Sequence, residues 1–567
     1  MRLIVFGVVL AAAVGAGGQG SGAAPDAVKI TVHADERVGK YVANWNYFGA
    51  DEPNYITAAN GKKLLRELHD LSPVPVYFRP HNLLTTGKGD GSLKWGSTNA
   101  YTEDASGKPV YDWKITDEIF DALKGAGVRP LVEVGFMPEA LSTHPAPYRH
   151  GFPKGQVFTG WSYPPKDYDK WGALVEAYAT HLKQRYGAAT DGWLWEVWNE
   201  PDIDYWHGTP EEYDRLYDVT TAAIRKVLPG AKVGGPGATG INEGKSEAFF
   251  KQFLEHCESG KNAVGLSGGA VGAPLDFISY HPKGSPKFVP DAGQSAQGQT
   301  GHVVMNVGRQ LQSVERGMKV VASYPRWKAT PIILTESDPE GCAACKGPQN
   351  GYRNGPLYGV SVAEATARTY ELARKYGVTV EGGVTWAFEF EEQPYFAGFR
   401  ELATNGVDKA VLNVFRMYGK LGGNSDADWV KVESTGALPV EQIVTASVTE
   451  KADVDAVATR KGDEVDVLVW NYHDVDLPVE ATAIAVKVDG LPKGKKLHAE
   501  EFRMDAEHGN AYGVWLKMGS PEKPTASQQS EMEKASGLKA EAVTVDEAGV
   551  VKMMLPRQGV VLVRVGW

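Results

Sequence analysis

Cysteine is almost missing from this chain: Cys257, Cys342 and Cys345 are the only three in 567 residues. So few thiols exclude a disulfide-built scaffold. Cys342 and Cys345 have no second pair to complete a four-ligand zinc site. They sit in glycine- and alanine-rich sequence, so they read as structural thiols or a local disulfide. Basic runs are missing too. Lys and Arg number 59 against 70 Asp and Glu, a formal net charge of -11 with no Lys/Arg block, which removes the electrostatic footprint of a nucleic-acid binder. Beyond the N-terminus no stretch is long and apolar enough for a membrane helix. No glycine-rich phosphate turn closes an early strand, as a doubly wound nucleotide-binding sheet requires.

What is present is ordinary for a soluble globular protein, 43% hydrophobic and 23% charged. The length exceeds what one core organises, so at least two domains are expected. Met1 and Arg2 precede an apolar run from Leu3 to Val14 and small residues to about Ala24. That pattern predicts a cleavable signal peptide over 1–24 and a secreted or periplasmic protein. The 15 Trp and 24 Tyr supply core, and also flat faces of the kind a sugar ring packs on.

From about Tyr41 to Gly423 short β-branched or aromatic runs alternate with helical patterns. Strands are expected at Val42–Phe48, Val74–Arg79, Arg129–Phe136, Trp193–Trp198, Lys232–Gly235, Asp276–His281, Ile332–Glu336 and Gly383–Phe390. Helices are expected at Lys62–Leu71, Thr116–Gly125, Tyr168–Tyr186, Glu211–Val227, Val303–Tyr324, Ser361–Tyr376 and Lys409–Leu421. Eight strands alternating with helices predict an α/β fold, a (β/α)₈ TIM barrel over 40–425. After Asp428 the period changes to alternation, at Asp453–Thr459, Glu464–Tyr472, Ala481–Val488 and Val550–Val565, with a helical insert at Ala511–Ser527. This predicts an accessory β-sandwich over 428–567, joined by a strand at 28–33.

Catalytic groups of such a barrel come from the C-terminal ends of its strands. Here those ends carry His81, Glu133, Asn199, Glu200, His281, Glu336 and Glu389 to Glu392. The set lacks the clustered His/Asp spacing of a metal site and any Ser-His-Asp grouping, so no metal and no cofactor is implied. Glu200 stands where the fourth strand must turn, between Trp198 and Pro201. Glu336 ends the apolar run Ile332-Ile333-Leu334-Thr335, with hydroxyls on either side. A carboxyl losing solvation near a second carboxylate suits a general acid, and one with hydrogen-bonding neighbours suits an ionised nucleophile.

The Asn199-Glu200-Pro201 and Thr335-Glu336-Ser337 stretches look like the acid/base and nucleophile of the large clan of (β/α)₈ retaining glycosidases. More narrowly, the chain resembles glycoside hydrolase family 39, which holds β-xylosidases and α-L-iduronidases. The resemblance runs through Asp51–Tyr55, Tyr77–Asn82, Glu196–Asp202, Ile278–Gly284, Thr335–Pro339 and Arg503 through Trp515 to Pro521. It implies that Glu200 protonates the leaving oxygen, that Glu336 attacks the anomeric carbon, and that Asn199 bonds the sugar 2-hydroxyl. His81 and His281 would hold hydroxyls, Trp386 and Phe388 would be sugar platforms, and Glu391 or Glu392 would bind distal hydroxyls.

The expected function is a retaining exo-glycosidase acting on terminal β-D-xylosyl residues of oligosaccharides. The alternatives are α-L-iduronidase-like or α-L-arabinosidase activity, or an inactive sugar-binding protein on the same scaffold. Lys283 with Arg400 would suit a uronate carboxylate. Equally, Lys283 would pair with Glu391 or Glu336 and keep the nucleophile ionised.

Overall fold

The computed structural model describes residues 27–567 except 72, 265–269, 292–299 and 424–425. The expected signal peptide lies outside the described residues. Eight parallel strands close into a barrel: Tyr47–Ala50, Tyr77–Pro80, Arg129–Val134, Leu194–Val197, Lys232–Thr239, Phe277–His281, Ile332–Leu334 and Val380–Trp386. The eighth pairs with the first, Val384 beside Tyr47 and Trp386 beside Gly49. Their residues are buried almost throughout, because a barrel strand is covered by the interior on one face and by helices on the other.

All eight expected strands are present, with shifted ends. The first starts at Tyr47 rather than Val42, because the backbone of Asn44 bonds the Tyr370 hydroxyl at 3.0 Å and Gly383 at 2.6 Å before the ladder begins. The seventh stops at Leu334, so Thr335 and Glu336 stand just past its end. The eighth stops at Trp386, which puts Phe388 and Glu389 beyond the barrel wall.

Helices follow the strands: Ala59–His69, Lys114–Ala126, Tyr168–Tyr186, Pro210–Val227, Lys245–Ser259, Val307–Ser323, Pro356–Tyr376 and Ala410–Lys420. Thr209 and Glu212 cap the fourth reciprocally, side chain to backbone in both directions, with Pro210 in the first turn. Lys245–Ser259 escaped the sequence reading; it opens after Gly244 with no side-chain cap to announce it. The pattern over Val303–Tyr324 splits. Gly301–Val304 pairs as a strand with Lys287–Pro290, and the helix begins at Val307. Cys342 and Cys345 form a disulfide, and Cys257 is buried and free.

The second unit is one nine-stranded sheet, antiparallel except where Val28–Lys40 runs parallel to Thr482–Asp489. The N-terminal strand thus joins the C-terminal sheet, pairing on its other side with Asp428–Ser434. The run Val550–Val565 is two strands, Val550–Leu555 and Gly559–Gly566. Val551, Met553 and Leu555 share one core with Val561, Val563 and Val565, so the sheet folds over itself as a sandwich. Two central strands are apolar on both faces. Val465, Val467 and Val469 point into the sandwich, while Leu468, Trp470 and Tyr472 belong to the barrel core. At this joint Arg368 of the seventh helix meets Asp453 at 2.5 Å.

Candidate active site

The turn after the fourth strand places Glu200. Trp198 and Glu200 have φ of 70° and 47°, a left-handed conformation that side-chain-bearing residues hold only where the surroundings enforce it. Those restraints are visible. Glu200 N donates to Gly237 O at 2.8 Å, and Trp198 Nε1 donates to Tyr205 O at 2.9 Å. Gly237 itself has φ +59°, and a Cβ there would lie 3.1 Å from Glu196 Oε1.

Glu200, His281 and Glu336 each bring an atom within 4.8 Å of the others, the one such group with metal-ligand spacing among the described residues. The charge around Glu336 speaks against a cation there. Its Oε2 accepts from Lys283 Nζ at 2.6 Å, and its Oε1 lies 3.4 Å from both Arg79 Nη1 and His81 Nε2. Burial by itself drives this carboxyl up. Lys283, His281 and His81 together outweigh that, and hold it well below the ordinary carboxylate range. A metal would have to displace the ammonium.

Arg79 is the hub beneath the pair. Fully buried, it meets Glu196 at 2.5 Å and Glu133 at 2.8 Å, and donates to Asn199 Oδ1 at 3.0 Å. Among the described residues the buried Asn199 amide nitrogen has no hydrogen-bond partner. His81 stands 2.5 Å from Glu133, and this contact lifts its proton affinity above the ordinary value although burial pulls the other way. His281 bonds Glu200 at 2.9 Å and Thr335 at 3.1 Å.

Trp386 lies 4.3 Å from the His81 ring and under the Arg79 guanidinium, in room kept by Gly49, where a Cβ would come within 2.2 Å of the indole. Phe388 is a correction. It is fully buried in the barrel–helix core, edge-on to Phe78 at 4.9 Å, so no face is left for a sugar. Glu391 accepts from Asn60 at 3.0 Å, and no hydrogen bond or ion pair ties it to Glu200 or Glu336 among the described residues. Lys283 pairs with Glu336, and with Asp338 at 2.5 Å, rather than with Glu391. Arg400 is a second correction: it is fully buried against Asp338 at 2.5 Å and Glu340 at 2.7 Å, with no charge to spare for a ligand.

A narrow cleft of about 10 Å³ adjoins the pair, lined by His81, Asp51 and Lys94 and by the rings of Trp95, Phe136, Trp161 and Tyr205. These rings were missed: Trp95 and Tyr205 lie on loops and Trp161 in a single 3₁₀ turn, where no periodicity places them, while Phe136 was read only as the last residue of the expected third strand. Lys94 Nζ lies 3.2 Å from Asp51 Oδ1. Burial and Lys94 push neighbouring His150 down to about 4. Arg79 and Glu196 did leave a signal. A charged residue inside an apolar strand must find a partner in the barrel interior.

A model of glycosyl hydrolases family 39 matches residues 26–552. A β-xylosidase of Caldicellulosiruptor saccharolyticus is 28% identical over 532 residues, covering 91% of this chain and 93% of that protein. An α-L-iduronidase of Mus musculus is 26% identical over 396 residues, 66% of this chain and 57% of that one. The crystal structure of a monomeric β-xylosidase from Caulobacter crescentus CB15 superposes with a TM-score of 0.69 over 95% of this chain and 99% of that one. At 21% identity this likeness carries the fold.

Proposed function

The chain belongs to glycosyl hydrolases family 39 and is a glycoside hydrolase; on that premise we propose that it releases terminal β-D-xylosyl residues from oligosaccharides by double displacement. One observation carries the reading: two carboxyl groups whose nearest oxygens lie within 4.8 Å, one of them flanked by cations and the other by a histidine. Oxygens this close suit retention, for which carboxyls stand roughly 5–5.5 Å apart, better than inversion, for which they stand roughly 6.5–9.5 Å apart.

Glu336, held ionised, attacks the anomeric carbon while the glycosidic bond breaks and Glu200 gives its proton to the departing oxygen. Water then attacks the glycosyl ester, Glu200 takes the water's proton, and Glu336 leaves as carboxylate. The amide nitrogen of Asn199 is set to donate to the 2-hydroxyl, and Asp51 with Lys94 offers an acceptor and a donor for hydroxyls in the cleft. Lys283 and Arg400 are both spent on carboxylates, which favours a neutral pentose over a uronate. The second reading, an α-L-iduronidase, rests on Lys283 standing beside the pair, 16% exposed, and on the iduronidase relatives. The leader over 1–24 adds export to the proposal.

The test is a panel of aryl β-D-xyloside, α-L-arabinosides and α-L-iduronide, run with EDTA, with the first-formed anomer read by NMR. Xyloside hydrolysis with retention is expected. Turnover confined to the iduronide replaces the substrate, an inverted first product ends the mechanism, and silence on all of them favours a sugar-binding scaffold.

A further inference from the structure

His281 bonds on both sides of its ring, Nδ1 to Glu200 Oε1 at 2.9 Å and Nε2 to Thr335 Oγ1 at 3.1 Å. What lies behind Thr335 decides the direction of both bonds. Its hydroxyl is 2.8 Å from Glu196 Oε1, and the Glu196 carboxylate is ion-paired to Arg79 at 2.5 Å. A carboxylate oxygen only accepts, and a threonine hydroxyl has one proton to give. That proton therefore lies towards Glu196, and the threonine oxygen accepts from His281 Nε2–H. Ser279 has the same polarity: its oxygen accepts from Gly237 N at 2.9 Å, and its proton goes to Glu196 Oε1 at 2.5 Å. Were Thr335 to donate to Nε2 instead, two oxygens would face each other at 2.8 Å with no proton between them. Glu196, Thr335 and His281 have no exposure at all, so no water relieves that contact.

With the Nε2 hydrogen committed, the other side of the ring is determined as well. A neutral His281 presents a lone pair at Nδ1, which bonds Glu200 only while Glu200 carries its acid proton. A protonated His281 donates to an ionised Glu200. Each case places one proton between the two atoms. We infer that Glu196 acts through Thr335 as a positioning residue: it locks His281 in the Nε2–H tautomer, so that Glu200 and His281 share a single proton ready for the leaving oxygen.

The inference rests on the acid/base assignment of Glu200 above. When Glu200 gives its proton away, bare Nδ1 and bare Oε1 face one another at 2.9 Å. The proton later taken from water removes that repulsion. Other charged groups face the pair without touching Nε2 among the described residues. Glu336 Oε1 lies 3.8 Å from Nδ1, with Lys283, Arg79 and His81 around it. Asp202 and Tyr205, from the loop after the fourth strand, feel the charge of Glu200.

Thr335→Val deletes the acceptor in nearly the same volume. A buried Nε2–H would then have no partner, so the ring moves its proton to Nδ1 and donates to ionised Glu200, stabilising the form that cannot act as an acid. The basic limb of kcat/KM is expected to fall by about one pH unit or more. Aryl xylosides with poor leaving groups should lose about tenfold more rate than activated ones. Thr335→Ser, which keeps the hydroxyl, should return the limb to its original position. An unmoved limb with equal loss on every leaving group overturns the inference. A readout independent of turnover is ¹⁵N NMR of the imidazoles, with His281 assigned by its absence in His281→Gln. Hydrogen on Nε2 in the parent and on Nδ1 in Thr335→Val supports the lock, and a neutral Nδ1–H ring in the parent refutes it. Should no xyloside be hydrolysed, the proposed function fails while the spectrum still decides the tautomer.

Discussion

Glu336 and Glu200 are the same residue type at the same end of one barrel, yet their surroundings differ in sign. Glu336 is 8% exposed and touched by an ammonium, with a guanidinium and an imidazole 3.4 Å away. Glu200 is 14% exposed, and its side chain has one hydrogen-bond partner among the described residues, His281. The difference teaches that, on the proposed roles, the division of labour is written in the neighbours rather than in the carboxyl groups. Lys283 is supplied by the loop after the sixth strand, Arg79 by the second and His81 by the turn just after it, so the ionised state of Glu336 is a joint product of distant segments. The polarity inferred at Glu200 comes instead from one buried hydroxyl, Thr335, between His281 and Glu196.

Removing the nucleophile should break this contrast most severely. Glu336→Ala is expected to lose about 10⁴-fold or more in kcat on every aryl xyloside. Azide should restore part of the rate and give a glycosyl azide of inverted configuration, identified by NMR. Glu200→Ala should be selective. A loss of about 10³-fold is expected for xylosyl or alkyl leaving groups, and far less for dinitrophenyl, which departs without a proton. Equal losses would mean that Glu200 is not the acid.

Lys283→Met sharpens the comparison by making the nucleophile's surroundings resemble those of the acid. With its strongest cationic neighbour gone, burial dominates and the Glu336 carboxyl titrates higher. Glu336 must be ionised to attack, so the acid limb of kcat/KM should move to higher pH, with about a tenfold loss near that limb. A limb that stays in place would show that Arg79 and His81 suffice. The smallest effect is expected from Glu391→Gln, whose side chain bonds Asn60 rather than either carboxylate: kcat and KM should stay within about threefold. A much larger rise in KM would return Glu391 to the substrate.

Much of this was legible in the residues. The eight strands stood out because buried β-branched runs bounded by turns have few other uses. Glu200 and Glu336 drew notice because each puts a charge at a strand end, and the structure brings the two within 4.8 Å. The failures have a shared cause. Phe388 was taken for a platform because the eighth strand, expected to reach Phe390, stops at Trp386. Strand ends are set by pairing with Ile332 and Tyr47, partners remote in the chain. Lys245–Ser259 lacked a capping side chain, and the rings of Trp95 and Tyr205 sit on loops, where no period reports direction.

By itself the sequence determined the alternation that closes a barrel, the two carboxylates at its strand ends, and the change of period that builds the sandwich, since all three are patterns local to a strand or helix. Only the tertiary structure decided that Lys283 serves Glu336, that Arg400 is consumed by Asp338 and Glu340, and that Glu196 reaches His281 through Thr335. Electrostatic and hydrogen-bond energies fall off over a few ångströms, and residues from 53 to 139 positions apart come that close only when the barrel closes.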